Sequence, residues 1–156
     1  MLATISQRLK HYMPSAVDSE EKNASSKAAV MLLLHGDPLN PHIILTERAK
    51  HLNHHAGEVA FPGGMKEPCD QNLLATALRE TEEEIGLTSD KIELLGILPS
   101  DSPRLSMLRV APFMGWVASP YDLQPDPSEI ATVFNFPLNL LLDTGSYKYF
   151  QLSERK

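Results

Sequence analysis

Apolar and polar positions along the chain alternate in a way that marks out its elements. Leu2, Ile5, Leu9, Tyr12 and Met13 recur at helical spacing, which predicts a short amphipathic helix over residues 1–13, ended by Pro14. The polar face of that helix is not strongly basic, so it is expected to cover a core rather than lie on a membrane. Residues 15–27 are polar and read as a linker. A continuous apolar run over 28–34 has strand length, and Gly36, Asp37, Pro38 and Asn40 supply turn chemistry within 35–41. A second strand over 42–46 completes an expected hairpin. Residues 47–55 carry charge and histidine without periodicity and are expected to form a loop. A short strand over 58–61 then runs into Pro62-Gly63-Gly64, where two glycines permit a tight bend.

The clearest helix spans 71–85, with Gly86 as its left-handed cap. Strands are predicted over 92–98, 110–117 and 131–136, and a short helix or turn over 137–142. No internal repeat interrupts this order, and helices and strands do not follow a strict βαβ rhythm. The expected class is therefore α/β or α+β, with a mixed β-sheet sandwiched by helices. Residues 1–27 are the N-terminal helix and linker of that single domain, and 28–142 its core.

Composition narrows the function. At 156 residues and 17.3 kDa, 42% hydrophobic and 22% charged, the chain suits one folded domain that buries roughly 68–70% of its unfolded surface. Its longest apolar run is far short of the roughly 20 residues that cross a bilayer. The N-terminus lacks the apolar stretch of a secretory signal, so the cytoplasm is expected. One cysteine, Cys69, excludes an internal disulfide and argues against a cysteine-based zinc site. With no obvious base beside it, Cys69 is expected to be inert. Fourteen basic against twenty acidic residues give a net charge of −6, which favours neither nucleic acid nor an anionic membrane. An anionic small molecule would need local help, from a metal ion or from placed Arg and Lys.

The helix over 71–85 carries the candidate chemistry. At 100° per residue, Leu74, Ala77, Leu78, Thr81 and Ile85 share one face, and Glu80, Glu83 and Glu84 gather along an adjoining edge. Glu84 lies nearest the apolar face and is expected to be partly desolvated. Like charges at this spacing repel, by a few tenths of a kcal/mol per exposed pair and more when dehydrated. They also sit near the helix C-terminus, where the dipole disfavours anions. Two readings stand open on the residues alone. One is a solvated acidic face. The other is a seat for a hard divalent cation, Mg²⁺ or Mn²⁺, with Arg79 orienting Glu83 from four residues away and the Gly63-Gly64 bend offering a carbonyl.

Spacing adds a resemblance. Gly64, five residues, Asp70, eight residues, then Arg79-Glu80-Thr81-Glu82-Glu83-Glu84-Ile85-Gly86-Leu87 resembles the Nudix box, whose general form is G, five residues, E, seven residues, R-E-U-x-E-E-x-G-U, with U a bulky apolar residue. Asp70 stands for the Glu, one residue is added before Arg79, and Thr81 takes an apolar place. Leu45-Thr46-Glu47-Arg48, then Leu52, His55, Gly57, Val59 and Phe61-Pro62-Gly63-Gly64, is similar to the extra motif of the coenzyme A pyrophosphatase branch. Thr76-Ala77-Leu78-Arg79-Glu80, Gly96, Val110, Pro112, Phe113 and Phe136-Pro137-Leu138 are also similar to that branch.

The resemblance implies hydrolysis of coenzyme A or an acyl derivative to 3′,5′-ADP and 4′-phosphopantetheine, with Mg²⁺ or Mn²⁺ as cofactor. It implies that the Gly64 carbonyl and the carboxylates of Glu80, Glu83 and Glu84 hold the metal, and that Arg79 orients a box glutamate. Glu129 resembles a downstream carboxylate that in some members binds metal or helps deprotonate water; a solvated loop acid is the other reading. A substrate bearing a 3′-phosphate needs cations, for which Arg48, His55 and Lys66 are the candidates, with solvated surface charge as the other reading for Arg48 and Lys66. His51, His54 and His55 raise zinc, but neighbouring histidines point apart and His55 is read as a structural or substrate contact. Trp116 is expected in the core.

Glu58 stands where the branch has Gln and Ala49 where it has Ser, so another nucleoside diphosphate derivative is an alternative substrate. A non-catalytic Nudix binding domain is the other alternative. Related proteins continue into a C-terminal helix, which the resemblance leads us to expect either as missing from this sequence or as supplied otherwise, by a second copy of the chain, as a homodimer, or by the N-terminal helix.

Overall fold

The computed structural model describes residues 26–98, 109–118, 121–143 and 145; the expected helix over 1–13 and nearly all of the linker after it lie outside these residues. Among these residues, seven strands and two helices follow in the order β1 (Ser26–Asp37), β2 (Asn40–Arg48), β3 (Val59–Ala60), β4 (Gly63–Met65), α1 (Leu73–Ile85), β5 (Ile92–Ile97), β6 (Arg109–Val117), β7 (Ile130–Pro137) and α2 (Leu138–Leu142). A single 3-10 turn, Ser89–Lys91, leads into β5. The sheet is mixed: β6 runs parallel to β1, and the other pairings are antiparallel. The α+β class read from the sequence is the class observed.

The hairpin is tighter than expected. β1 and β2 pair to Asp37↔Asn40, so the turn shrinks from residues 35–41 to Pro38-Leu39, and the Asp37 carboxylate accepts the Leu39 N–H at 2.9 Å. β1 also begins at Ser26, inside the residues read as linker, because pairing with β6 from Ser26↔Arg109 overrides the polar local sequence.

β1 and β2 then part company beyond Leu34↔Ile43. Into the gap fit the two short strands, β3 against Thr46 and Glu47 of β2, and β4 against Ala28 to Val30 of β1. Met31 N–H donates to the Pro62 carbonyl at 2.8 Å and closes the seam. The expected bend at Gly63-Gly64 is therefore a strand. Its glycines serve close approach instead: a Cβ on Gly63, at φ +154°, would run into the Ala29 carbonyl and Val30 Cα.

Alternation along β1 divides the core. Ala29, Met31 and Leu33 face α1, joined there by Ala77, Ile85, Leu87 and Phe113. Leu32 and Leu34 face the other way, against Ile43, Leu45, Met114 and Leu138 of α2. Trp116 is half-buried on that second face rather than enclosed. The first face positions the candidate site.

Candidate active site

α1 starts where the Asn72 side chain accepts the Ala75 N–H at 2.9 Å, and ends where Gly86, at φ +71°, donates to the Glu82 carbonyl at 2.8 Å. Between these caps the buried stripe runs Thr76, Ala77, Thr81, Glu84 and Ile85. Glu84 thus lies inside the stripe, at 3% exposure, rather than at its edge. Thr76 is buried as well, whereas Leu74 and Leu78 pack at the margin. Thr81 resolves its polarity within the helix by donating to the Ala77 carbonyl at 2.7 Å.

Arg79 is the hub of the outer half. Its Nε and Nη2 donate to the two oxygens of Asp70 at 3.0 and 3.1 Å, a bidentate pair. Nη1 meets Glu83 at 2.6 Å, Nη2 meets Glu80 at 3.0 Å, and Nη2 also donates to the Met65 carbonyl at 3.2 Å. The expected orientation of Glu83 by Arg79 is present, but Asp70 is its stronger partner. That pairing, with a hydroxyl bond from Thr76 and the Glu67 N–H, holds the Asp70 carboxyl down at about 2. The same contacts push the Arg79 guanidinium further up.

The inner half is built differently. Glu84 Oε1 receives Arg48 Nη1 at 3.3 Å, and Oε2 receives the Gly63 N–H at 3.2 Å. Burial outweighs both donors and raises the Glu84 carboxyl to about 7, with repulsion from Glu80 and Glu129 adding to the rise. Burial raises Glu80 too, against the pull of Arg79. Gly64 belongs here because a Cβ at that position would overlap the Glu80 carboxyl.

Of the residues singled out in the sequence, Gly64, Arg79, Glu80, Glu83, Glu84 and Glu129 come together around this helix face and β4. Glu129 approaches through backbone contacts: its carbonyl accepts the Ala49 N–H at 2.7 Å, just after Arg48. Arg48, expected to face substrate, is instead committed to Glu84. A register shift in the β2–β7 pairing between Glu47 and Arg48 marks the place where its strand is irregular. His55 does not join the group. It sits at φ +56° in the loop after β2 and pairs with Glu58 at 2.8 Å, both exposed. Lys66 is exposed, its backbone N–H bonded to the Lys27 carbonyl, and its side chain pairs with none of these acids. Cys69 is exposed, with its thiol 3.7 Å from Glu67.

Sequence reading missed two contacts, Asp70 to Arg79 and Arg48 to Glu84. The only trace of the first was an acid nine residues before the arginine, a spacing that no helical or strand period connects. The second spans 36 residues and carries no local signal.

Whether a divalent cation suits this group turns on its donors. They are all oxygen, which fits Mg²⁺ or Mn²⁺. Burial and mutual repulsion make added positive charge favourable at Glu80 and Glu84. As they stand, no three Asp, Glu, His or Cys side chains among the described residues form a ligand set. The arginines occupy the acids instead. The chemistry fits; the assembly requires the pairs to open.

Comparison with known proteins gives the arrangement a lineage. A family model described as the NUDIX domain matches residues 25–154. The chain is 40% identical over 128 residues to a protein of Photorhabdus laumondii named uncharacterized Nudix hydrolase NudL, covering 82% of this chain and 67% of that one. It is 40% identical over 122 residues to the protein of the same name from Yersinia pestis, covering 78% of this chain and 60% of the relative. The chain therefore spans about three fifths to two thirds of the length of these relatives. Among solved structures, a C. elegans Ap4A hydrolase in a binary complex superposes with a TM-score of 0.60 at 18% identity, over 78% of this chain and 87% of the other, which is likeness of fold.

Proposed function

The chain belongs to the Nudix hydrolase family, and from that premise we propose that it hydrolyses the diphosphate linkage of a nucleoside diphosphate derivative, with coenzyme A or an acyl-coenzyme A as substrate. The products are 3′,5′-ADP and (acyl-)4′-phosphopantetheine. One observation carries the hydrolytic reading: a buried carboxylate, Glu84, raised to about 7 with repulsion from Glu80 and Glu129, next to a glycine strand whose Gly64 leaves room for the Glu80 carboxyl. A mere binding surface has no need of acids crowded at that cost. The substrate reading rests on the motif from Leu45 to Gly64, which resembles the coenzyme A branch.

On this reading Gly64, Glu80, Glu83 and Glu84 would hold Mg²⁺ or Mn²⁺, as Nudix hydrolases generally use such cations. The bound cation supplies neutralisation of the diphosphate charge and a pathway to activate water. The protein's own residues supply position. Asp70 fixes Arg79, Arg79 fixes Glu83 and Glu80, and the Gly63 N–H fixes one oxygen of Glu84. Glu129, a carboxylate whose charge is felt by both Glu80 and Glu84, is the candidate to take the proton of the attacking water. Lys66, exposed just after β4, is the cation available to the substrate's phosphates while Arg48 is held by Glu84.

A second reading, a different nucleoside diphosphate derivative, is favoured by Glu58. It replaces the branch's Gln and draws His55 into an exposed pair away from the acids. Incubation with coenzyme A and Mn²⁺ decides between the two. Release of 3′,5′-ADP and 4′-phosphopantetheine is the expected result; turnover of nucleoside diphosphate sugars alone rejects coenzyme A. Tight nucleotide binding with no turnover of either rejects catalysis.

A further inference from the structure

We infer that Arg48 is a positioning residue that serves Glu84 as a stand-in cation, and that a divalent ion must displace it toward the substrate's phosphates. This rests on the metal-dependent reading above. Both oxygens of Glu84 are already engaged, one by the Gly63 N–H at 3.2 Å and one by Arg48 at 3.3 Å. The first donor is backbone, locked by the pairing of Gly63 with Val30 of β1. The second is a side chain that can leave. Its side chain is 26% exposed, and its one ion pair with the described residues is long against the roughly 2.7–2.9 Å of a strong charge-assisted bond.

Arg79 offers a contrast in the same cluster. Its fork is tied on both prongs to Asp70, with Met65 behind, so its anchor does not depend on Glu83 or Glu80. Arg48 has no such second carboxylate among its contacts with described residues. A divalent cation arriving at Glu84 brings like charge against the guanidinium, and the two cannot share the oxygen cheaply in so buried a place. The guanidinium then needs another anion. A diphosphate presents paired oxygens suited to its planar fork. Cation and substrate are thereby coupled through one side chain, and the coupling runs both ways.

Free Mn²⁺ measured by electron paramagnetic resonance in titrations of the full chain tests this without recourse to activity. Arg48→Gln is expected to bind Mn²⁺ about tenfold more tightly than the unaltered protein, because a competitor is gone. Arg48→Lys, which keeps the charge, and Lys50→Gln, which removes an exposed charge two residues away, are expected to stay within about twofold. At saturating Mg²⁺, calorimetry with methylenediphosphonate as a non-hydrolysable probe is expected to show about tenfold weaker binding by Arg48→Gln. A merely structural role predicts the opposite first sign, weaker Mn²⁺ binding as Glu84 loses its support. Arg48→Met, which keeps an unbranched stem, repeats the measurements should Gln disturb folding.

Unchanged or weaker Mn²⁺ binding by the Gln variant, or an equal gain in Lys50→Gln, overturns the inference and leaves the metal reading standing. Failure of the unaltered protein to bind Mn²⁺ at all overturns that reading as well.

Discussion

Asp70 and Glu84 are both buried carboxylates, 8% and 3% exposed, yet their surroundings drive them in opposite directions. Asp70 sits at about 2 and Glu84 at about 7. The difference lies in which effect wins: donors from Arg79 dominate at Asp70, whereas burial dominates at Glu84, where the donors are too few to offset it. Asp70 receives both prongs of Arg79, the Thr76 hydroxyl and the Glu67 N–H. Glu84 receives one long contact from Arg48 and one backbone N–H, and faces two other acids. The first carboxylate is finished: its charge is fully compensated and its role is architectural. The second is short of positive charge, which is the condition that the proposed cation would relieve.

Removing the unfinished charge breaks the comparison most sharply. Glu84→Gln is expected to lower the hydrolytic rate by about 10²-fold or more while the protein stays folded. Arg48 loses its partner but is partly exposed and can reach water, so the usual penalty for orphaning a buried charge is avoided. The stability profile supplies a second readout. A carboxyl whose folded pKa is raised favours folding when protonated, so its contribution declines as pH rises from the unfolded value near 4.5 through about 7. That decline is on the order of 3 kcal/mol, and the Gln variant is expected to lack it. Urea unfolding followed between pH 4 and pH 8 measures both. A full rate in the variant would mean that Glu84 takes no part in the reaction.

Asp70→Asn should do the reverse, a large loss of stability with the chemistry affected only through position. Leaving Arg79 with half its fork empty is expected to cost about 3 kcal/mol. In the unaltered protein the sign of the pH dependence is opposite to that of Glu84. A depressed carboxyl stabilises above its unfolded pKa, and its contribution, on the order of 2 kcal/mol, is lost as pH falls from about 4 to about 2. Acid unfolding of the Asn variant is expected to be flatter in that window. Equal acid sensitivity of the two proteins would show that Asp70 is not the group being titrated.

What could be read from the sequence divides along the same line. The α1 helix, its Gly86 cap and the β1–β2 hairpin are local patterns, and each is present, whereas Glu84 lies inside the buried stripe and not on the acidic edge. The Arg79–Glu83 contact is also local, four residues apart on one helix. The remaining candidate residues came from resemblance to the Nudix-box spacing. Illegible were the contacts made by strands that meet only in the folded sheet. Arg48 reaches Glu84 because β1 and β2 diverge and β4 enters the gap beside them, an event with no periodic signature. For the same reason Gly63 and Gly64 looked like a bend, whereas their need for glycine comes from β1 and Glu80 pressing on them. His55 stands apart from the acids of α1, paired with Glu58 three positions on.

The smallest change asks how finished Asp70 is. Thr76 is fully buried, and its hydroxyl donates to Asp70 Oδ2 at 3.0 Å while also lying 3.3 Å from the Asn72 carbonyl. Thr76→Val keeps the shape and removes one of the donors that hold the carboxylate charged. Because Arg79 and the Glu67 N–H remain, the expected loss is about 1 kcal/mol, the ordinary net worth of a hydrogen bond, rather than the larger penalty of an unpaired charge. The Asp70 pKa, followed by NMR, is expected to rise from about 2 but stay below its unfolded value. Hydrolysis should be unchanged within about twofold, since Arg79 is still held on both prongs. A loss of several kcal/mol, or a rise of Asp70 past its unfolded pKa, would mean that the hydroxyl and not the guanidinium anchors this carboxylate. The contrast with Glu84 would then be one of degree, set by a single uncharged donor.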